Sequence, residues 1–183
     1  FIFEKEKESN EIISNQSYWL ELKSIVNKFD NEEIDFKTAY KQFLDLSQQI
    51  GLKNEIRLFA LSFNNILLDI DILISVQEPR EKNTLKNSFE IIKPFLFKKL
   101  ISHLNVEDAI KWNQSLNNSL TNRGQNWICY LLRCSDITLK SIGDKFGITR
   151  EGIRKKVSRL EKIVGIKSTD LVQQIAESNK TKN

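Results

Sequence analysis

The amino-acid sequence predicts an all-α protein: a helical N-terminal domain followed by a small helix-turn-helix domain. Apolar residues recur every three to four positions along nearly the whole chain, which is the spacing of one face of an α-helix. Helix-capping residues precede many of these segments, and Gly or Pro follows several of them. Residues 70–76 alternate apolar and polar side chains as a strand does, but no partner strand is evident. Helix is therefore favoured there as well.

The first two helices are predicted from their caps and their apolar spacing. Ser17 is expected to cap the first helix, and Asp35 is expected to cap the second. Gly51 is expected to end the second helix. The apolar positions are Tyr18, Leu22, Ile25 and Phe29 in the first helix and Phe36, Tyr40, Phe43 and Ile50 in the second.

Three more helices are expected before residue 120. A long apolar pattern stops before Pro79, and Thr84 is expected to cap the helix after it. Pro94 is expected to kink that helix or to start a new one. Asn105 is expected to cap the next. The apolar positions are Ile56, Phe59, Phe63, Leu67, Ile70 and Leu73, then Leu85, Phe89 and Ile92, then Ile110, Trp112 and Leu116.

The charge distribution divides the chain in two. The net charge is +4 over 183 residues, but residues 1–122 carry 15 Lys and Arg against 18 Asp and Glu. Residues 123–183 carry 13 against 6. Residues 117–124 are polar and end in Gly, which predicts a seam between an all-helical domain of unknown role at 1–120 and a second domain at 121–183. This division indicates that only the basic part contacts a polyanion.

No group of residues in the sequence has the spacing of a catalytic or metal site. Cys129 and Cys134 are five residues apart on one helix and point in different directions, whereas a zinc site needs four ligands in compact pairs. The single histidine, His103, has no catalytic partner at a familiar spacing, and Asp69 and Asp71 diverge on a helix. We therefore expect no enzyme activity, no cofactor and no metal, and we expect buried free thiols in a reducing cytoplasm.

The large aromatic and apolar segments are interpreted as core. Trp19, Trp112 and Trp127 are expected to pack inside the protein rather than to stack on bases. No apolar run reaches the ~20 residues of a membrane span. The longest, from Leu58 to Val76, is interrupted by Asn64, Asn65, Asp69 and Asp71.

Residues 138–164 predict two helices that cross at a tight turn. Thr138 is expected to cap the first helix and Thr149 the second. Gly143 has no side chain where the second helix must come close, and Gly147 can adopt a positive φ where the first helix ends. Two helices joined by a short turn that contains Gly form the DNA-binding helix-turn-helix. Its expected core is Ile142, Phe146, Ile148, Ile153, Val157 and Leu160.

The second of these helices is predicted to have an apolar face and a basic face. At 100° per residue, Val157, Leu160 and Val164 lie within about 40° of Ile153, so this stripe faces the core. The opposite direction holds hydrogen-bonding and basic groups, and the first turn of such a helix enters the major groove deepest. With a phosphate at the N-terminus of the first helix, the predicted DNA-binding residues are Thr138, Arg150, Glu151, Arg154, Lys155, Ser158, Arg159 and Lys162.

The run from 123 to 162 resembles region four of bacterial sigma factors of the sigma-seventy class. That family has a Thr-Leu start, an aliphatic-Gly pair, a Phe, and Thr-Arg-Glu followed by Ile-Arg. These features stand here as Thr138-Leu139, Ile142-Gly143, Phe146, Thr149-Arg150-Glu151 and Ile153-Arg154.

The resemblance implies binding to the −35 promoter element and contact with core RNA polymerase. It implies that Arg150, Glu151 and Arg154 read bases, as Arg reads guanine and Glu reads cytosine in the major groove. The chain departs from the family at Gly152, where the family has Arg, and at Lys155, where it has Gln. The departures imply an altered or less stringent sequence preference.

Two alternatives remain open from the sequence. The chain contains no Met and starts at Phe1, so one alternative is the DNA-anchoring C-terminal part of a larger replication or recombination enzyme whose catalytic domain lies upstream. The other is an interaction module that uses its helix-turn-helix only to bind protein. The salt dependence of duplex affinity separates this last alternative, because groove binding releases counterions.

Overall fold

The described chain is all-α, as predicted. The computed structural model describes residues 2–103 and 106–182, with the side chains of 16–103, 106–177 and 180. This part of the chain contains no strand, and a 3₁₀ turn at Asn122–Gly124 joins its two halves. The α-helices are α1 Ile2–Asp30, α2 Phe36–Leu46, α3 Asn54–Ser75, α4 Pro79–Ser102, α5 Val106–Asn118, α6 Gln125–Cys134, α7 Leu139–Phe146, α8 Arg150–Val164 and α9 Ser168–Lys182.

The predicted start of the first helix was wrong, and the predicted start of the second is confirmed. Helix α1 runs through Ser17 without interruption, because the segment contains neither Gly nor Pro to end it. Asp35 does cap α2: its carboxylate accepts a hydrogen bond from the backbone N–H of Thr38 at 2.8 Å. Hydrogen bonds from the side chain and the backbone of Thr38 lower the pKa of the Asp35 carboxyl.

Helix α2 ends earlier than Gly51, and Ile50 does not belong to the core. The chain leaves the helix after Leu46 through two i→i+3 hydrogen bonds, from the N–H groups of Gln48 and Gln49. Such tightening is common in a last helical turn, where carbonyl groups lack α-helical partners. Ile50 therefore lies beyond the helix and is 100% exposed.

Helix α3 is confirmed as a helix through the alternating stretch 70–76. Its apolar spacing buries one face, including Phe59, Phe63 and Ile70, in the core. By length and composition alone α3 would also be able to cross a membrane, a criterion that core helices of soluble proteins often meet.

Helix α4 corrects two expectations about caps and prolines. Pro79 occupies its first turn, where the missing N–H has no helical partner to lose, so Thr84 lies inside the helix and is not its cap. The helix also continues through Pro94. Burial of Ile92 and Leu96 on either side of Pro94 holds both halves of α4 against the core. The expected cap at Asn105 lies outside the described residues.

Helix α6 is the central helix of the C-terminal half. It packs against α4, α7, α8 and α9, and its six consecutive residues from 127 to 132 are all buried. A helix that is apolar on every side belongs inside a protein. Trp127 is fully buried and its indole N–H donates to Ser119 Oγ at 2.7 Å. Trp112 is also buried, whereas Trp19 is half-buried and stacks on Phe59.

The hydrophobic core continues across the predicted seam at residue 121. The ring of Trp127 meets that of Phe89 on α4 at 6.4 Å between centroids. The indole N–H of Trp112 on α5 donates to the carbonyl oxygen of Ile163 on α8 at 2.9 Å. The division into domains 1–120 and 121–183 stays a prediction. A C-terminal domain that folds alone would lose these contacts.

Candidate nucleic-acid interface

Helices α7 and α8 both begin at the predicted threonine caps. The hydroxyl of Thr138 accepts a hydrogen bond from the N–H of Ser141, and that of Thr149 accepts one from the N–H of Gly152, both at 3.1 Å. Each cap satisfies one of the N–H groups that a helix start leaves without a partner. The other N–H groups in the first turn of α7 have no partner within the helix. They lie beside Thr138, which is exposed.

The turn between α7 and α8 depends on two glycines, as predicted. A Cβ atom added to Gly143 would lie 2.5 Å from the carbonyl oxygen of Ile148, and the N–H of Ile148 donates to the Gly143 carbonyl at 2.9 Å. Gly147 ends α7 with φ of 66°, a backbone conformation that costs Gly little. The backbone of the turn at Ile148 therefore contacts Gly143 directly and leaves no room for a side chain at residue 143.

The predicted apolar stripe of α8 is confirmed, and the predicted core of α7 is confirmed only in part. Ile142, Ile153, Val157, Leu160 and Val164 are all buried. Phe146 and Ile148 are half-buried instead. Phe146 is the last residue of α7 and Ile148 lies in the turn that follows it. The Lys145 ammonium sits 5.5 Å from the centroid of the Phe146 ring.

The predicted DNA-binding residues are accessible at the start of α7 and along α8. Only Ser158 is half-buried. The exposed members are Thr138, Arg150, Glu151, Arg154, Lys155, Arg159 and Lys162. Lys140, in the first turn of α7, is exposed beside Thr138 and was missed in the sequence. Its position next to a helix cap was the available signal.

Glu151 and Arg154 bind each other on this surface, a contact that the sequence analysis did not anticipate. The guanidinium of Arg154 donates from Nη2 to Glu151 Oε1 at 2.5 Å and from Nε to Oε2 at 2.9 Å. The hydrogen bond to Arg154 lowers the pKa of the Glu151 carboxyl, and the same bond raises the pKa of Arg154. The pair fixes the direction of the guanidinium and leaves its Nη1 group free to donate.

Two other charged residues of α8 are used inside the protein. The Glu161 carboxylate accepts hydrogen bonds from the N–H of Ser168 at 2.7 Å and from its hydroxyl at 3.1 Å, so it caps α9. The ammonium of Lys156 lies 3.4 Å from Asn126 Oδ1 on α6. Both acids of α8 are thus engaged within the protein, one by Arg154 and one by α9.

Four exposed cations of α8 have no carboxylate partner within the described part of the chain: Arg150, Lys155, Arg159 and Lys162. Two neighbouring cations do have partners. Lys145 forms an ion pair with Glu81 on α4, and Arg133 lies 3.5 Å from Asp136. The exposed face of α8 therefore carries positive charge without ion-pair partners in the described residues, where an anion can reach it.

The two cysteines are buried free thiols. Burial raises the pKa of the Cys129 thiol to about 11 and that of Cys134 to about 12. His103 is half-buried beside the Trp112 ring, and burial is the main cause that lowers its pKa. Within residues 2–103 and 106–182, no three His, Cys, Asp or Glu side chains come together as metal ligands would.

Comparisons with known proteins add no family. No protein-family model, no curated protein and no solved structure matches the chain.

Proposed function

We propose that the chain is a DNA-binding transcription protein that inserts α8 into the major groove of promoter DNA, in the manner of sigma-factor region four. It acts in the cytoplasm by binding and not by catalysis, and core RNA polymerase is its proposed protein partner. The alternative of a DNA-anchoring part of a larger replication or recombination enzyme shares the same DNA-binding surface.

One observation carries the proposal: the exposed face of α8 has four cations without a carboxylate partner in the described residues, while both of its acids are engaged. An ordinary solvated helix intersperses free acids and bases, which lowers its net field. Here the exposed face of α8 carries a net positive charge. The opposite side of the helix is held in the core by the buried side chains of Ile153, Val157 and Leu160. A phosphate backbone is the natural counterpart of such a face.

The first turn of α8 is assigned to base reading. Arg150 is exposed there, and an Arg at this place can donate two hydrogen bonds to guanine O6 and N7. Arg154 is held by Glu151 through Nε and Nη2, so its Nη1 group is presented to a base at a small further cost in side-chain entropy. Lys155 extends the same face, and Glu151 is the residue able to accept a hydrogen bond from cytosine.

The start of α7 and the C-terminal part of α8 are assigned to contacts with DNA phosphates. Thr138 caps α7 and leaves backbone N–H groups at a helix start, which attract anions. Lys140 stands beside them. Arg159, Ser158 and Lys162 follow the base-reading turn of α8, where the helix leaves the groove and passes the backbone. Contacts of this kind fix orientation without selecting sequence.

The experiment is a salt titration of the full chain on a duplex chosen from a random library by repeated selection. The double variant R159A/K162A is expected to bind every duplex more weakly and to lower the slope of log K against log salt by about two units, one per lost phosphate contact. The matched control is K37A/K41A, which removes two exposed cations of α2 without an ion pair in the described residues.

An equal loss of slope in both double variants would refute the assignment to α8. A wild-type chain that binds no duplex would refute DNA binding, and a duplex affinity that does not depend on salt would refute the phosphate contacts. Either result would favour the protein-interaction alternative. Retention of core RNA polymerase by the immobilised full chain tests the proposed partner separately, and a failure to retain it would leave only the DNA-binding part.

A further inference from the structure

Helix α3 is apolar on two opposite faces, and only one of them is covered. Eight residues of α3, among them Phe63 and Ile70, are buried in the core. On the opposite side an apolar row remains in solvent. A helix with apolar residues all round normally lies inside a protein or an assembly, so the second face calls for a partner.

The exposed row has the regular spacing of a helix-pairing surface. We call it the α3 stripe: Leu58, Leu61, Asn65, Leu68, Ile72 and Val76. Successive members are three or four residues apart, and at 100° per residue they fall within an arc of about 80°. Its five apolar side chains are between 50% and 73% exposed. A run of this length on one face is unusual for a monomer surface.

We propose that the α3 stripe binds the α3 stripe of a second copy of this chain, in antiparallel orientation about a two-fold axis near Asn65. In a symmetric dimer the same surface must complement itself. An axis at Asn65 places Leu58 opposite Ile72 of the partner subunit and Leu61 opposite Leu68 of the partner subunit. The two Asn65 amides then meet at the centre, where they can hydrogen-bond to each other. A buried Asn at one position of such a seam fixes register.

The charges beside the stripe select the antiparallel orientation. Arg57 and Asp71 flank the same edge of the stripe, fourteen residues apart. In an antiparallel pair with its axis at Asn65, Arg57 faces Asp71 of the partner subunit, and the symmetry creates this attraction twice. Asp71 is accessible for it, with 42% of its side chain exposed beside Lys93. A parallel pair would instead place Arg57 opposite Ser62 of the partner subunit and would gain no ion pair.

The same charges argue against a lipid surface as the occupant. Helices that lie on membranes carry Lys and Arg beside their apolar face, because the headgroups include anionic lipids. The α3 stripe is bordered by Asp69 and Asp71 and is interrupted by Asn65. A second copy can satisfy the amide and the carboxylates, which a hydrocarbon layer cannot.

Sedimentation equilibrium of the full chain tests the proposal without DNA, so its outcome is independent of the proposed function. The wild type is expected to be a dimer at micromolar concentration. The variants L61E and I72E are each expected to raise the dissociation constant at least ~100-fold, since two copies lose an apolar contact and bury a charge. Both side chains are exposed in the single chain, so the fold is expected to survive; circular dichroism checks this. The control is L20E, an exposed leucine on α1.

Charge reversal tests the orientation. R57D places Asp opposite Asp71 of the partner subunit, and D71R places Arg opposite Arg57 of the partner subunit, so each is expected to weaken the dimer. The double variant R57D/D71R restores opposite charges and is expected to recover most of the affinity. A dissociation constant that is the same in all three variants and in the wild type would overturn the antiparallel arrangement.

Three results would overturn the proposal as a whole. The first is a wild-type chain that stays monomeric at ~100 μM, and the second is a dimer that L61E and I72E leave intact. The third is a monomer that co-sediments with phosphatidylcholine–phosphatidylglycerol vesicles and loses this binding in L61E, which would assign the α3 stripe to lipid.

Discussion

Gly143 shows how a single residue allows α7 to pack against the turn that leads into α8. An Ala at this position would gain up to ~1 kcal/mol from helix propensity. Its Cβ, however, would lie 2.5 Å from the carbonyl oxygen of Ile148, a backbone atom of that turn. This steric clash is expected to cost ~1–3 kcal/mol, as overpacking of a core does. The cost exceeds the gain in helix propensity, so the substitution is expected to destabilise the fold.

We therefore expect Gly143→Ala to lower the free energy of unfolding by ~1–2 kcal/mol, measured by urea denaturation. Asp144→Ala is the matched control, because Asp144 is the exposed neighbour on α7 and a surface change there is worth less than ~0.5 kcal/mol. A G143A chain as stable as the wild type would show that the crossing tolerates a methyl group.

Glu151 has a second role at the residue scale, since it holds Arg154 in addition to its proposed contact with a base. Removing a surface carboxylate near DNA should strengthen binding to every duplex if it only repels phosphates. Because Glu151 orients the Arg154 guanidinium, we expect Glu151→Ala instead to cost ~1–3 kcal/mol at one base position. Glu151→Gln keeps an acceptor for Arg154 and should lose less discrimination. Duplexes with single base substitutions measure this.

A uniform gain in affinity for E151A, with sequence preference intact, would contradict base reading by this pair. General DNA binding by α8 would remain in that case, because Arg159 and Lys162 supply phosphate contacts independently of the pair.

At the scale of elements, α7 is anchored at one end and open at the other. Ile142 is buried, whereas Phe146 and Ile148 are half-exposed at its end. Helix α8 differs, because its stripe is covered along its whole length by α6, α7 and α5. The two helices of the turn therefore contribute unequally to stability, and α8 is the one that the protein holds rigidly.

This difference between α7 and α8 predicts which of two alanine substitutions lowers the free energy of unfolding more. Ile153→Ala removes a fully buried side chain and should cost ~2–5 kcal/mol. Phe146→Ala is expected to cost ~2 kcal/mol, below the ~3–5 kcal/mol typical of a buried Phe, because part of the ring already contacts water. Thermal and urea unfolding of both variants measure the ranking; a larger cost for Phe146 would reverse the assignment of α8 as the better anchored helix.

At the scale of the whole molecule, α6 joins the two halves. Contacts from Phe89 to Trp127 and from Trp112 to Ile163 cross the predicted seam. We expect unfolding in one cooperative transition, in which tryptophan fluorescence and far-ultraviolet circular dichroism change together. Two separated transitions would instead support independent domains at 1–120 and 121–183.

The buried thiols of α6 predict how stability depends on pH. The pKa values of Cys129 and Cys134 rise from 9.0 to about 11 and about 12 on burial. Above pH 9 the unfolded chain releases these protons while the folded chain retains them, so the stability present below pH 9 is lost as pH rises. The melting temperature should fall between pH 8 and pH 10.5, and by less in a C129A/C134A variant. An equal fall in both would assign the effect to other groups.

The sequence alone determined the local features that depend on neighbouring residues. The caps at Asp35, Thr138 and Thr149 and the positive φ of Gly147 followed from residue chemistry, because a cap or a left-handed turn involves only a few adjacent residues. The stripe of α8 followed from its period. Boundaries that lacked a strong stop signal, such as those near Ser17, Gly51 and Thr84, were misjudged since packing outweighs weak caps.

Only the tertiary structure decided which charges are free and which apolar faces are covered. In the sequence Glu151, Lys156 and Glu161 look alike, as charges on one basic helix; in the fold they bind Arg154, Asn126 and Ser168, respectively. The sequence shows that α3 is apolar, but only packing shows that one face is buried and that the α3 stripe remains in solvent. The physical reason is that charge pairing and burial depend on residues distant in the chain, which no local period specifies.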